Sequence, residues 1–186
     1  MTPFRTILLS FTLCLLTIGG LSQAKTIYIN PEKDLALQFQ TEGTRYVLSG
    51  DINLRGETIV LPAKAVLIFN HGVVNNGRIK GCTNRIQFNS PFLGSDIVVE
   101  GCYIKEKILY SVNILAVNNY DDNSIHNLFN LAKPGTKIVF EKGVYKDVSP
   151  ININKEVELD FSNSVIQTAI DDNSLSSSVF ITDVEL

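Results

Sequence analysis

The chain has 186 residues, 45% hydrophobic and 19% charged, with a formal net charge of −3. A mean hydropathy of +0.14 and so little charge exclude a disordered chain, and the acidic balance excludes the basic footprint of a nucleic-acid binder. Two His, one Met and no Trp leave little for histidine-based metal or triad chemistry.

Residues 1–24 read as a secretory signal peptide. Arg5 supplies the positive start, an apolar run follows from Ile7 to Ile18, and Ser22 and Ala24 suit cleavage before Lys25. The run is shorter than the roughly 20 residues that a spanning helix needs. Cys14 lacks the small residues expected before a lipidated cysteine. The expected product is secreted, with no membrane span after signal removal and with Cys82 and Cys102 as its only cysteines.

From Lys25 onward, short β-rich runs alternate with Gly, Asn and Pro. They are Thr26–Ile29, Tyr46–Leu48, Glu57–Leu61, Ala65–Phe69, Arg78–Lys80, Arg85–Phe88 and Asp96–Glu100. Hairpin signals are scarce, because Asn76-Gly77 is the one Asn-Gly or Asp-Gly pair. Ile79-Lys80-Gly81-Cys82 recurs as Val99-Glu100-Gly101-Cys102, about twenty residues on, which is the length of one coil in a repeat architecture. The pattern therefore predicts a solenoid of parallel strands. In such a stack Cys82 and Cys102 sit over one another, as a disulfide or as a simple thiol stack. Asparagines at the ends of the runs suit turns and can bond along the stack.

Ile125, Leu128, Phe129 and Ala132 form one apolar stripe at helical spacing. The helix is expected to start at a cap from Asp122 or Asn123 and to stop at Pro134-Gly135. A single short amphipathic helix needs an apolar surface to cover, and the open end of a β-solenoid is one.

Runs at Thr136–Phe140, Gly143–Tyr145, Ile151–Asn154, Val157–Phe161 and Ser164–Gln167 resume the strand pattern. Asp121-Asp122-Asn123-Ser124-Ile125 through Ala132, Pro134–Phe140 and Gly143-Val144-Tyr145 together resemble the opening module of pectate-lyase-like right-handed parallel β-helix proteins, although Glu141 stands where their turn carries a proline. Residues 46–81 resemble β-helix coils of secreted bacterial proteins, so the resemblance covers most of the chain after Ala24. It implies an all-β fold, a right-handed parallel β-helix with one short amphipathic capping helix. Residues 25–110 would form a first segment, and 111–186 the cap helix and the opening coils of a second, whole or truncated. At about 20 to 25 residues per coil the chain makes about six to eight coils.

Chemistry is harder to find. The resemblance implies polysaccharide as the partner, cut by lyases with a basic residue and often calcium, or by hydrolases with paired Asp, on coils beyond the opening module. Asp121-Asp122 is read as helix capping and Asp171-Asp172 as a turn, since neighbouring strand residues point to opposite faces. Neither shows calcium-loop spacing. His71 reads as a turn residue and His126 as the polar side of the helix. No metal or cofactor site is expected, and no catalytic residue is assigned. Arg45, Arg55, Arg78, Lys80 and Arg85 could meet acidic sugars if the stack brings them to one face, and six tyrosines offer stacking surfaces. The expected function is a noncatalytic, carbohydrate-associated or cell-surface binding module. The alternative is the N-terminal part of a polysaccharide lyase or glycoside hydrolase.

Overall fold

The computed structural model describes residues 24–116, 122–141, 143–162, 164–168 and 180–182. The signal segment 1–23, Asp121 and the Asp171-Asp172 pair lie outside them. The strands are β1 (Thr26–Tyr28), β2 (Arg45–Ser49), β3 (Ile52–Asn53), β4 (Thr58–Val60), β5 (Val66–His71), β6 (Val74–Asn75), β7 (Gly77–Phe88), β8 (Ile97–Ile104) and β9 (Ile108–Tyr110). Two helices follow, α1 (Ser111–Ile114) and α2 (Asp122–Leu131). Then come β10 (Thr136–Val139), β11 (Gly143–Val148), β12 (Ile151–Ile153), β13 (Val157–Asp160), β14 (Ser164–Thr168) and β15 (Phe180–Thr182).

Every strand pairing among the described residues is parallel. Ile27 lies beside Tyr46, Tyr46 beside Leu67, Leu67 beside Ile86 and Ile86 beside Ile104. From Tyr46 on, this inward row is fully buried. A second inward row runs Ile59, Ile79, Val99, and a third Ile52, Val74, Leu93, Leu115. Alternation along each short strand sends one set of side chains in and the next out, so identical faces meet from strand to strand.

The corners repeat as well. The residue before each of Thr44, Ala65, Asn84 and Cys102 is left-handed: Gly43, Lys64, Thr83 and Gly101, with φ of 62, 58, 57 and 63°. Arg55, Asn76 and Asp96 form a second left-handed set, all at φ 53°. Gly101 also demands glycine for space, since a Cβ there would lie 2.1 Å from the Gly81 carbonyl oxygen, and the left-handed Gly72 does so against the Gly50 backbone. The two glycines of the sequence repeat thus touch, and Ile79 pairs with Val99 and Lys80 with Glu100.

Polar side chains bond along the stack at separations of 19 to 22 residues. Asn89 donates to Asn70, and Asn75 accepts from the Ser95 amide. The buried Asn84 donates to the carbonyls of Pro62 and Ala65 and accepts from the Cys82 amide. That last bond accompanies a bulge. Residues 78–80 and 85–88, expected as separate strands, run on as one strand, β7, and the register shifts between Lys80 and Asn84. Asn84, not Cys82, stands opposite Cys102.

Helix α2 lies against the free edge of β8. Ile125, Leu128, Phe129 and Leu131 are buried, each contributing about 1.5–3 kcal/mol of burial. Asn127, also buried, donates to the Ile97 carbonyl and accepts from the Val99 amide, both at 2.8 Å. Asn130 donates to the Val99 carbonyl at 2.8 Å. These two amides continue the ladder where the next strand would have been. Beyond the helix, Ile138 pairs with Leu109 on one side and Leu159 on the other. Phe140 stacks on Phe161 with centroids 4.3 Å apart and meets the buried Tyr145 edge-on. Strand β9 therefore belongs with β10, and Leu115 pairs back to Leu93, so hydrogen bonds cross the 110/111 boundary in both directions. No helix among the described residues is long and apolar enough to cross a membrane.

Candidate binding site

The outward side of the first sheet carries its own rows. Thr26, Arg45, Val66, Arg85 and Tyr103 stand side by side in one, and Tyr28, Val47, Ile68 and Gln87 in the next. Adjacent strands are about 4.8 Å apart, so the backbones of Arg45 and Arg85 are roughly 10 Å apart. Tyr28 is 76% exposed. Arg85 is half-buried, and its Nε is buried with no hydrogen-bond partner.

The arginine row ends at a cleft of about 500 Å³ at the corner between β8 and the end of α2, lined by Thr83, Cys102, Tyr103, Asn130, Lys133 and Lys155 among others. Lys133 Nζ sits 4.6 Å above the Tyr103 ring. Lys155 Nζ donates to the Ala132 carbonyl at 2.7 Å, which satisfies one of the open acceptors at the helix end. Burial pushes the Lys155 amine below its ordinary pKa of 10.5. Among the described residues, no carboxylate lies within ion-pair distance of Lys133 or Lys155. Among the described residues, the cleft therefore presents two cations without a carboxylate partner, beside an aromatic ring.

Of the five basic residues singled out in the sequence, the fold brings Arg45 and Arg85 together. Arg78 and Lys80 lie on the first part of β7, before the bulge, where Arg78 pairs with Glu100 at 3.5 Å. Arg55 sits exposed at a left-handed corner. Tyr46 and Tyr145 are core residues and Tyr103 is the one at the cleft; Tyr120 lies outside the described residues. Sequence reasoning missed Lys133 and Lys155 as partners, because the cleft joins residues from the helix end with one from the turn between β12 and β13, a coil later.

Cys82 is exposed, Cys102 buried, and both thiols are free. Burial pushes the Cys102 thiol up to about 12. Asp122 and Asn123 are the first two residues of α2. The Asp122 carboxylate accepts from the amide and hydroxyl of Ser149, and it stands 3.2 Å from His126 Nε2. His71 is exposed at the end of β5, next to Asn70.

No family model, curated protein or solved structure matches the chain.

Proposed function

We propose that the chain is a secreted module folded as a right-handed parallel β-helix of the pectate-lyase-like kind, and that it binds polysaccharide without cleaving it. Parallel rows with left-handed corners recurring about every twenty residues support the β-helix. The observation that carries the binding reading is the row Arg45–Val66–Arg85–Tyr103 running into the cleft of Lys133 and Lys155. A line of cations ending at an aromatic ring suits an extended acidic glycan: the cations meet its carboxylates, and the ring offers an apolar face to the sugar.

A hydrolase needs two carboxylates about 5–10 Å apart across the bond. Among the described residues, the acids that share one partner are Glu158 and Asp160, and both hold Lys137 instead. The alternative, the N-terminal part of a polysaccharide lyase or glycoside hydrolase, is favoured by Lys155. Its depressed proton affinity suits a base that removes a proton from an acidic sugar.

The test uses the chain from Lys25 onward in affinity electrophoresis against acidic and neutral polysaccharides. Retention on acidic polysaccharide is expected, weakened by Arg45→Ala with Arg85→Ala and by Lys155→Met. Absence of retention on every glycan removes the binding reading. Unsaturated products or new reducing ends replace it with the enzymatic alternative.

A further inference from the structure

The start of α2 and the segment after β11 bring together three donor atoms that the sheet face does not use. His126 Nε2 lies 3.2 Å from Asp122 Oδ1 and 3.0 Å from Ser149 Oγ, and Ser149 Oγ lies 2.9 Å from Asp122 Oδ1. The atoms mark a nearly equilateral triangle. Asp122 and His126 are one helical turn apart and share a face. Ser149 arrives from 27 residues on, and its amide donates to Asp122 Oδ1 at 2.8 Å, which fixes the carboxylate. The Asp122 and His126 side chains are 40% and 32% exposed, so one side of the triangle opens to solvent.

This is not the arrangement of a nucleophilic serine. A relay places the serine on one ring nitrogen and the carboxylate on the other. Here both approach Nε2, and the hydroxyl is directed at the carboxylate, 2.9 and 3.0 Å from its two oxygens. Three lone-pair atoms about 3 Å apart are instead the spacing of neighbouring ligands on an octahedral ion with bonds of about 2.1 Å. One imidazole nitrogen with two oxygens suits a first-row divalent cation, and the absence of thiolate argues against softer ions.

We propose that Asp122 Oδ1, His126 Nε2 and Ser149 Oγ form one face of an octahedral site for a first-row divalent cation, with the other positions open to water. The cation takes the Nε2 lone pair of neutral His126, while the Ser149 hydroxyl keeps its proton directed at Asp122 Oδ2. The half charge of the helix N-terminus opposes a cation, and the full charge of Asp122 outweighs it. Binding would pin the start of α2 to the segment after β11.

The experiment titrates the untagged full chain with Mn²⁺ by electron paramagnetic resonance and with Zn²⁺ by calorimetry. One submillimolar site is expected, weakened at least tenfold in His126→Ala and Ser149→Ala and unchanged in His71→Ala, which removes the chain's other histidine. Mn²⁺ should selectively broaden the NMR signals of the His126 ring and the Ser149 amide in the unsubstituted chain, a readout that holds even if a variant fails to fold. No binding, full binding in folded His126→Ala, loss in folded His71→Ala, or broadening centred elsewhere overturns the proposal.

Discussion

The region from β1 to β8 and the region from β9 to β14 solve the same problem with different residues. Both hold parallel strands in register. The first does so mainly with neutral groups, through left-handed corners, the buried Asn84 and asparagines bonded from strand to strand, with charge added by Asp51 accepting from the Val73 amide and by the exposed Arg78–Glu100 pair. The second places charge on its outward rows: Lys137 Nζ meets Glu158 at 2.8 Å and Asp160 at 3.2 Å, with the Phe140–Phe161 stack nearby. Register in the first region therefore rests mostly on backbone geometry and neutral hydrogen bonds, which salt and pH touch little. Register in the second rests partly on exposed ion pairs, which are worth little each and respond to both.

The largest expected effect is at the join between the two. Asn127→Ala would leave the Ile97 carbonyl and the Val99 amide buried and unpaired, at about 1–3 kcal/mol each, for a total loss of about 4 kcal/mol. Asn130→Ala removes one bond from a more exposed residue and should cost about 1 kcal/mol. Denaturant unfolding measures both, and equal effects would mean that the helix is held by its apolar face alone. Next comes Gly101→Ala, whose Cβ meets the Gly81 carbonyl in a left-handed corner, at about 3 kcal/mol. Gly135→Ala, at φ 76° with open space around it, should cost only about 1 kcal/mol.

The charged region is distinguished by acid. Asp160 is lowered from 3.8 to about 2, first by the hydroxyl of Ser162, then by its amide, then by Lys137. A carboxylate lowered on folding contributes stability that is fully present above its unfolded value and is lost as pH falls from about 4 towards 2. Carboxyl NMR titration should accordingly find Asp160 raised more by Ser162→Ala than by Lys137→Met. The reverse order would make the ion pair, not the serine turn, the main support of that row. Lys137 is raised above 10.5, chiefly by its hydrogen bond to Glu158, so its contribution fades as pH rises past that value. The smallest effect on stability comes from alkylation. At pH 8 iodoacetamide should modify exposed Cys82 and spare Cys102, whose thiol is held near 12. Protection of both until reduction, read by mass, would show a disulfide.

Much of the first region was legible because its signals are local. Alternation in runs such as Ala65–Phe69 and the Gly-Cys repeat carry the parallel stack, and the Ile125–Ala132 stripe carries the helix. The bulge at Cys82 was not legible. It depends on Asn84 finding the carbonyls of Pro62 and Ala65, about twenty residues back. The same limit hid the roles of Asn127 and Asn130, which show only once β8 lies beside them. The candidate sites were least legible of all. Lys155 and Tyr103 at the cleft, and Ser149 beside Asp122 and His126, are joined only by the path of the chain.

An unpaired strand edge is a template on which another chain can grow. At β8 that template is filled, from Ile97 to Val99, by amides carried on a helix, and a helix offers no onward ladder. A visiting strand would have to displace Asn127 and unseat Ile125 and Leu128 before it gained its first bond there. The helix thus makes this edge a poor seed for aggregation, and it directs further strand pairing to β9 and β10, which the chain itself supplies.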